Sequence, residues 1–156
     1  MSIQAVRAYF APLGRAEDIL EFPVSSATVE LAAQAVGVEP ARIAKTLSFK
    51  DKDGSAILIC CAGDCKVDNR KYKDQFGTKA KMLTPDEALA FTGHAVGGVC
   101  PFGLPQDQPV RVYCDKSLQR FSTVFPACGS ANSAIELTCQ ELADYAHSLE
   151  WIDVCK

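Results

Sequence analysis

Histidine is scarce in this chain of 156 residues, which holds two, His94 and His147. Neither stands at ligand spacing from a cysteine pair, and no Cys-x-x-Cys occurs, so the sequence gives no support for a zinc site and no metal or other cofactor is expected. No histidine is placed for general-base work, and no Ser-His-Asp arrangement emerges. No apolar run approaches the length needed to cross a bilayer, which argues against a membrane partner. The opening Met1-Ser2-Ile3-Gln4-Ala5-Val6-Arg7 lacks the basic segment, apolar run and cleavage site of a signal peptide, so the cytoplasm is the expected compartment. Positive charge is also short, with a net charge of -3. Bulk attraction to nucleic acid is thereby excluded, and any such contact must come from a local patch. Internal repeats, linkers and low-complexity runs are missing, and residues 1–156 read as a single domain large enough for a core without staples.

Cysteine, by contrast, is plentiful: eight, at positions 60, 61, 65, 100, 114, 128, 139 and 155. Without a secretory signal a disulfide framework is not expected. Cys60, Cys61 and Cys114 lie in strand-like apolar runs, where a reduced thiol acts as a small hydrophobe. Cys100 differs, because it sits in a glycine-rich loop. The composition, 48% hydrophobic and 22% charged, is that of an ordinary soluble domain.

Periodicity and caps order the chain. Ile3, Val6 and Phe10 mark a first helix closed by Pro12 and Gly14, and Ile19–Phe22 reads as a short strand. Ser25 or Ser26 offers a cap for a helix ending at Gly37, and Pro40 opens a short helix to about Ala44. Thr46–Phe49 and Ala56–Cys61, joined across Asp53-Gly54, make a hairpin whose second strand is apolar at consecutive positions and hence buried on both faces. A basic amphipathic helix is expected over Val67–Phe76, then a short strand at Lys81–Leu83. Thr84-Pro85-Asp86-Glu87 and Thr138-Cys139-Gln140-Glu141 are capping boxes, the second leading a final helix through Leu149. Ala95-Val96, Val110–Cys114, Ser122–Phe125 and Ala134–Leu137 are strand-like. The expected fold is α/β, with a mixed, largely antiparallel multi-stranded sheet flanked by helices.

Three features carry candidate chemistry. Gly97-Gly98-Val99-Cys100-Pro101-Phe102-Gly103 combines glycines that admit a ligand to the main chain with a proline that stiffens the loop. Bare N–H groups there suit a developing oxyanion or a carbonyl oxygen, and a tight turn between strands is the competing reading. Lys45, at the junction between the Pro40 helix and the following strand, has the reach of a phosphate anchor, or is a solvated surface lysine. Cys100 invites a nucleophilic role, but no neighbour in sequence lowers its pKa, so it reads as pocket lining. The basic run Lys66, Arg70, Lys71, Lys73, Lys79 and Lys81 is either a phosphate-contacting face or a solvated helix face.

Taken in order, these segments resemble the YbaK/EbsC family, the prolyl-tRNA editing (INS) domain superfamily. Val38-Glu39-Pro40-Ala41-Arg42-Ile43-Ala44-Lys45-Thr46-Leu47 is similar to the family's lysine signature, and Gly97 to Pro101 to its G-x-x-x-P loop. Gly63-Asp64-Cys65-Lys66-Val67-Asp68 resembles the turn into its middle helix, Val112–Leu118 a strand and turn, and Gly129 a late glycine. The match spans about residues 15–150.

The resemblance implies hydrolysis, in trans, of the ester that joins a wrong amino acid to the tRNA 3′ adenosine. The expected substrate is tRNA(Pro) carrying alanine, cysteine or another small residue. Lys45 and Gly97, Gly98, Val99, Cys100 and Pro101 would form the catalytic centre. Thr28, Thr46, Phe102, Asp115 and Gly129 would contact substrate, with Lys66, Arg70, Lys71 and Lys73 on the tRNA. The expected partners are the aminoacyl end of tRNA and an aminoacyl-tRNA synthetase. Family mechanisms lean on substrate groups and water more than on a protein nucleophile. Ala127-Cys128-Gly129-Ser130-Ala131-Asn132 and Ser25-Ser26-Ala27-Thr28 depart from relatives, which leaves the amino acid open. Two other classes compete: a non-catalytic module that binds aminoacyl-tRNA, a nucleotide or a synthetase, and a cysteine-dependent redox protein.

Overall fold

The computed structural model describes residues 2–156. The chain runs α1 (Ser2–Phe10), β1 (Leu20–Glu21), α2 (Val29–Val36), β2 (Ile43–Lys50), β3 (Ala56–Ala62), α3 (Asn69–Phe76), α4 (Pro85–Thr92), β4 (Val110–Asp115), β5 (Thr123–Pro126), β6 (Ser133–Ala134), β7 (Leu137–Thr138), α5 (Cys139–Tyr145) and β8 (Trp151–Ile152). The main sheet has the order β7-β5-β2-β3-β4-β8, and β1 pairs with β6 apart from it. β2–β3, β5–β7 and β1–β6 are antiparallel, whereas β2–β5, β3–β4 and β4–β8 are parallel. The sheet is mixed as expected, but its antiparallel share is smaller than expected. The chain returns through α3 and α4 before β4, and a crossover of that length permits a parallel neighbour.

β3 lies mid-sheet and is buried at every position. Its even residues Leu58, Cys60 and Ala62 pack with Val6, Phe10 and Phe102 on one face, while Ile57, Ile59 and Cys61 pack with Phe49, Tyr72 and Tyr113 on the other. The continuous apolar run thus feeds two cores. Of the eight cysteines, six are buried and two half-buried, all as free thiols.

Both capping boxes form as expected, at Thr84 and Thr138. Elsewhere boundaries move. Thr28, not Ser25 or Ser26, caps α2 by accepting from the Leu31 amide. Asp68 caps α3, so Val67 falls outside the helix and bridges to Cys155. β2 begins at Ile43, because Pro40–Arg42 forms only a single tight turn. Lys45 is therefore inside a strand and not at a junction. Ala95-Val96 enters a turn, with the Gly98 amide donating to the Ala95 carbonyl at 3.0 Å. The single strand expected over Ala134–Leu137 divides, since β6 pairs with β1 and β7 with β5. The last helix ends at Tyr145, where His147 takes φ 53 and redirects the chain into β8.

Candidate functional site

The outer edge of β2 is covered discontinuously. β5 pairs with it only at Ile43 and Ala44. The next cover comes from the segment before α4, where the Leu83 amide donates to the Ser48 carbonyl at 3.1 Å and the Lys50 amide to the Lys81 carbonyl at 2.8 Å. Between these two seals opens a pocket of about 300 Å³, floored by Lys45, Thr46 and Leu47. Thr28, Val29 and Ala32 of α2 form one wall, Val96, Gly97 and Val99 another, and Leu83, Pro85, Ala88 and Phe125 complete it. Ser26, Ser48 and Ser133 bring hydroxyls to a mostly apolar lining. Lys45 is the one titratable side chain among the described residues that line the pocket; no carboxylate, histidine or cysteine does.

Lys45 is held by main-chain oxygens. Its ammonium donates to the Cys65 carbonyl and, at 3.5 Å, to that of Gly63. An ammonium has three donors, so one remains for a ligand oxygen. Gly63 is what lets this turn come so near: a Cβ there would sit 2.2 Å from the Pro40 oxygen and 2.6 Å from Val29 Cγ1. In the sequence Gly63 stands out only as part of a turn, with no role at the site. The only signal was its place in the Gly63–Asp68 motif, and the contact with Pro40 is tertiary.

The glycine loop divides its residues between pocket and support. Gly97, at φ 100, and Val99 face the pocket. Gly98 lies behind them against the Gly129–Ser130 peptide, and its N–H is committed to Ala95. Cys100 and Phe102 do not line the pocket: both are fully buried in the core with Val6 and Phe10. Burial pushes the Cys100 thiol up to about 12, the reverse of what a nucleophile needs. Its sulfur lies 3.5 Å from His94 Nε2, which also lies 2.7 Å from the Phe102 carbonyl. Pro101 lines a different cleft, with Tyr9, Leu104 and His147.

The remaining expected contacts separate in the same way. Thr28 and Thr46 are at the pocket. Asp115 is not: its carboxylate is buried and accepts from the amides of Ser117, at 2.9 Å, and Val154, at 2.8 Å. Gly129 is also a support, seated on α1, where a Cβ would come within 2.8 Å of the Ser2 oxygen. Lys66, Arg70, Lys71 and Lys73 do not line the pocket. Lys71 is paired with Asp153 at 3.1 Å, and Lys66 exchanges main-chain hydrogen bonds with Lys156. Among the described residues no group of three His, Cys, Asp or Glu side chains is disposed to hold a metal ion. No helix there is long and apolar enough to cross a membrane.

Comparison with known proteins identifies the family. The profile of the aminoacyl-tRNA editing domain matches residues 24–145, which takes in every pocket residue. The uncharacterised protein YwhH of Bacillus subtilis is 56% identical over 156 residues, covering 100% of this chain and 98% of its own. EbsC of Enterococcus faecalis, a candidate Cys-tRNA(Pro)/Cys-tRNA(Cys) deacylase, is 28% identical over 111 residues, 70% of this chain and 66% of its own. A crystal structure of a candidate trans-editing enzyme for prolyl tRNA synthetase superposes with a TM-score of 0.88 at 30% identity, covering 99% of this chain and 97% of the other. The chain belongs to the aminoacyl-tRNA editing domain family, of the YbaK/EbsC type.

Proposed function

We propose that the protein hydrolyses the ester bond of misacylated tRNA, with tRNA(Pro) carrying a small amino acid such as alanine or cysteine as its substrate. One observation carries the reading: the pocket joins a tethered cation, Lys45, to a glycine loop and an apolar wall, and its described lining holds no carboxylate, histidine or cysteine. An aminoacyl ester is already activated, so positioning and oxyanion stabilisation suffice to speed its attack by water. The free donor of Lys45 meets an oxygen of the terminal adenosine or of the substrate end. The main chain at Gly97 and Val99 faces the acyl group. Val29, Ala32 and Phe125 limit the side chain that enters, so a larger amino acid is rejected by size. The names of EbsC, a candidate Cys-tRNA(Pro)/Cys-tRNA(Cys) deacylase, and of the solved relative, a candidate trans-editing enzyme for prolyl tRNA synthetase, support tRNA(Pro) as substrate and a synthetase as partner.

A panel of mischarged tRNAs, incubated with the wild type and with Lys45→Ala, tests this. The wild type is expected to release small amino acids, and the variant to be slower by on the order of 100-fold, the scale of losing one stabilising donor. Equal rates in the two proteins, or no release above the uncatalysed rate, would overturn it.

A further inference from the structure

In a β-strand the N–H and C=O of one residue point to the same edge, and every second residue serves that edge. On β2 the outward set is Ala44, Thr46, Ser48 and Lys50. Ala44 is matched to Pro126 of β5, while Ser48 and Lys50 bond the Lys81–Leu83 segment. Thr46 alone is left, and among the described residues neither its amide nor its carbonyl finds a partner on that side. Thr46 lines the pocket. Two built features keep this gap open. After Pro126, the Gly129 turn, at φ 89 and in contact with Ser2, carries the chain away from β2. On the other side the Thr84 capping box turns the chain into α4 directly after Leu83.

We propose that the Thr46 main chain reads the aminoacyl group as a one-residue strand extension. Its N–H donates to the ester carbonyl oxygen, and its C=O accepts from the α-ammonium. An amino acid in extended form presents its own N–H and C=O to one side, and so complements a single open strand residue. The bond from the ammonium is charge-assisted and hence the stronger of the two. The substrate class follows: esters of α-amino acids with a free amino group, to the exclusion of N-acylated and peptidyl esters. This rests on the deacylase reading and narrows it.

The test uses the full chain and the misacylated tRNA cleaved fastest in the panel, with two altered forms of it: the α-hydroxy ester made by nitrous acid deamination, which keeps the size but not the charge, and the N-acetylated ester. Rates are divided by the uncatalysed rate of each ester. The hydroxy ester is expected to be cleaved about 10-fold more slowly and the N-acetyl ester about 100-fold more slowly, the range for losing a hydrogen bond to a charged group. In parallel, ¹⁵N spectra are recorded with the matching 3′-deoxy-3′-aminoacylamido-adenosine. The Thr46 amide should move downfield and exchange more slowly with solvent. Equal relative rates for the three esters overturn the inference and leave the deacylase reading standing, as does a Thr46 amide that stays in place while those of Gly97 and Val99 move. No cleavage of any ester defeats both.

Discussion

Gly98 lies so close to Gly129 that a Cβ on Gly98 would come within 2.7 Å of the Gly129 carbonyl carbon. The contact is between two main chains, so neither side can yield by rotating a side chain. It seats the pocket-facing residues Gly97 and Val99 against a turn that itself rests on α1. Gly98→Ala should therefore cost about 1–3 kcal/mol in stability, the usual scale of overpacking. It should also lower deacylation per folded molecule by more than about 10-fold, because misplacing a positioning element costs heavily in rate. Urea unfolding and single-turnover rates on the same samples check the two effects separately.

Cys100 provides a contrasting case. It lies beside His94 as a catalytic pair would, yet both are sealed in the core and the thiol is pushed up to about 12. Cys100→Ala is expected to keep the wild-type deacylation rate within a few-fold while losing roughly 1–2 kcal/mol of stability for a small cavity. Iodoacetamide should leave Cys100 unmodified in the native protein, and peptide mapping after labelling reads this out. Loss of activity at unchanged stability would restore the nucleophile.

Much of the fold was legible because it is written locally. The Asp53-Gly54 hairpin signal marked β2, alternation marked β4, an unbroken apolar run marked β3, and Thr-x-x-Glu marked the starts of α4 and α5. β8 was not legible, because two residues, Trp151 and Ile152, hold no period and owe their strand to the waiting edge of β4. At the site, Lys45 and Gly97 could be picked out by motif. The division of the loop into pocket and core could not, since Val99 and Cys100 are adjacent and only the tertiary path sends one outward and the other inward. Asp115 was assigned to the substrate by the family resemblance alone; in the fold its carboxylate is taken up by two amides, a tertiary arrangement that no local motif displays.

His94 should make the protein acid-sensitive. Burial holds its pKa below the ordinary histidine value, and Nδ1 has no partner, so the fold favours the neutral ring. Above pH ~6.5 the ring is neutral in both states and contributes no pH dependence. As pH falls through that value the unfolded chain takes up a proton that the native one does not, and stability drops. Glu87 and Glu141, whose folded pKa values are lowered by Lys50 and by the Thr138 amide respectively, lose their contribution only at lower pH. The interval from pH ~6.5 to ~5 thus reports on His94. Melting temperature should fall across it in the wild type and stay flatter in His94→Gln, and parallel curves would count against a buried neutral ring.

Asp115 should act on stability and not on substrate. Its two carboxylate oxygens accept from amides that sit far apart in the chain, Ser117 and Val154, and so pin the C-terminal segment to the end of β4. Removing the carboxylate leaves two amides without partners, each costing about 1–3 kcal/mol where it cannot reach water. Asp115→Ala should accordingly lose roughly 2–5 kcal/mol. Asp115→Asn, which keeps one acceptor oxygen, should lose less. Hydrogen exchange at Val154 and its neighbours should quicken in both variants, in the same order. Deacylation per folded molecule should keep its KM, because the pocket lining does not include Asp115. A raised KM with unchanged exchange at Val154 would return Asp115 to the substrate.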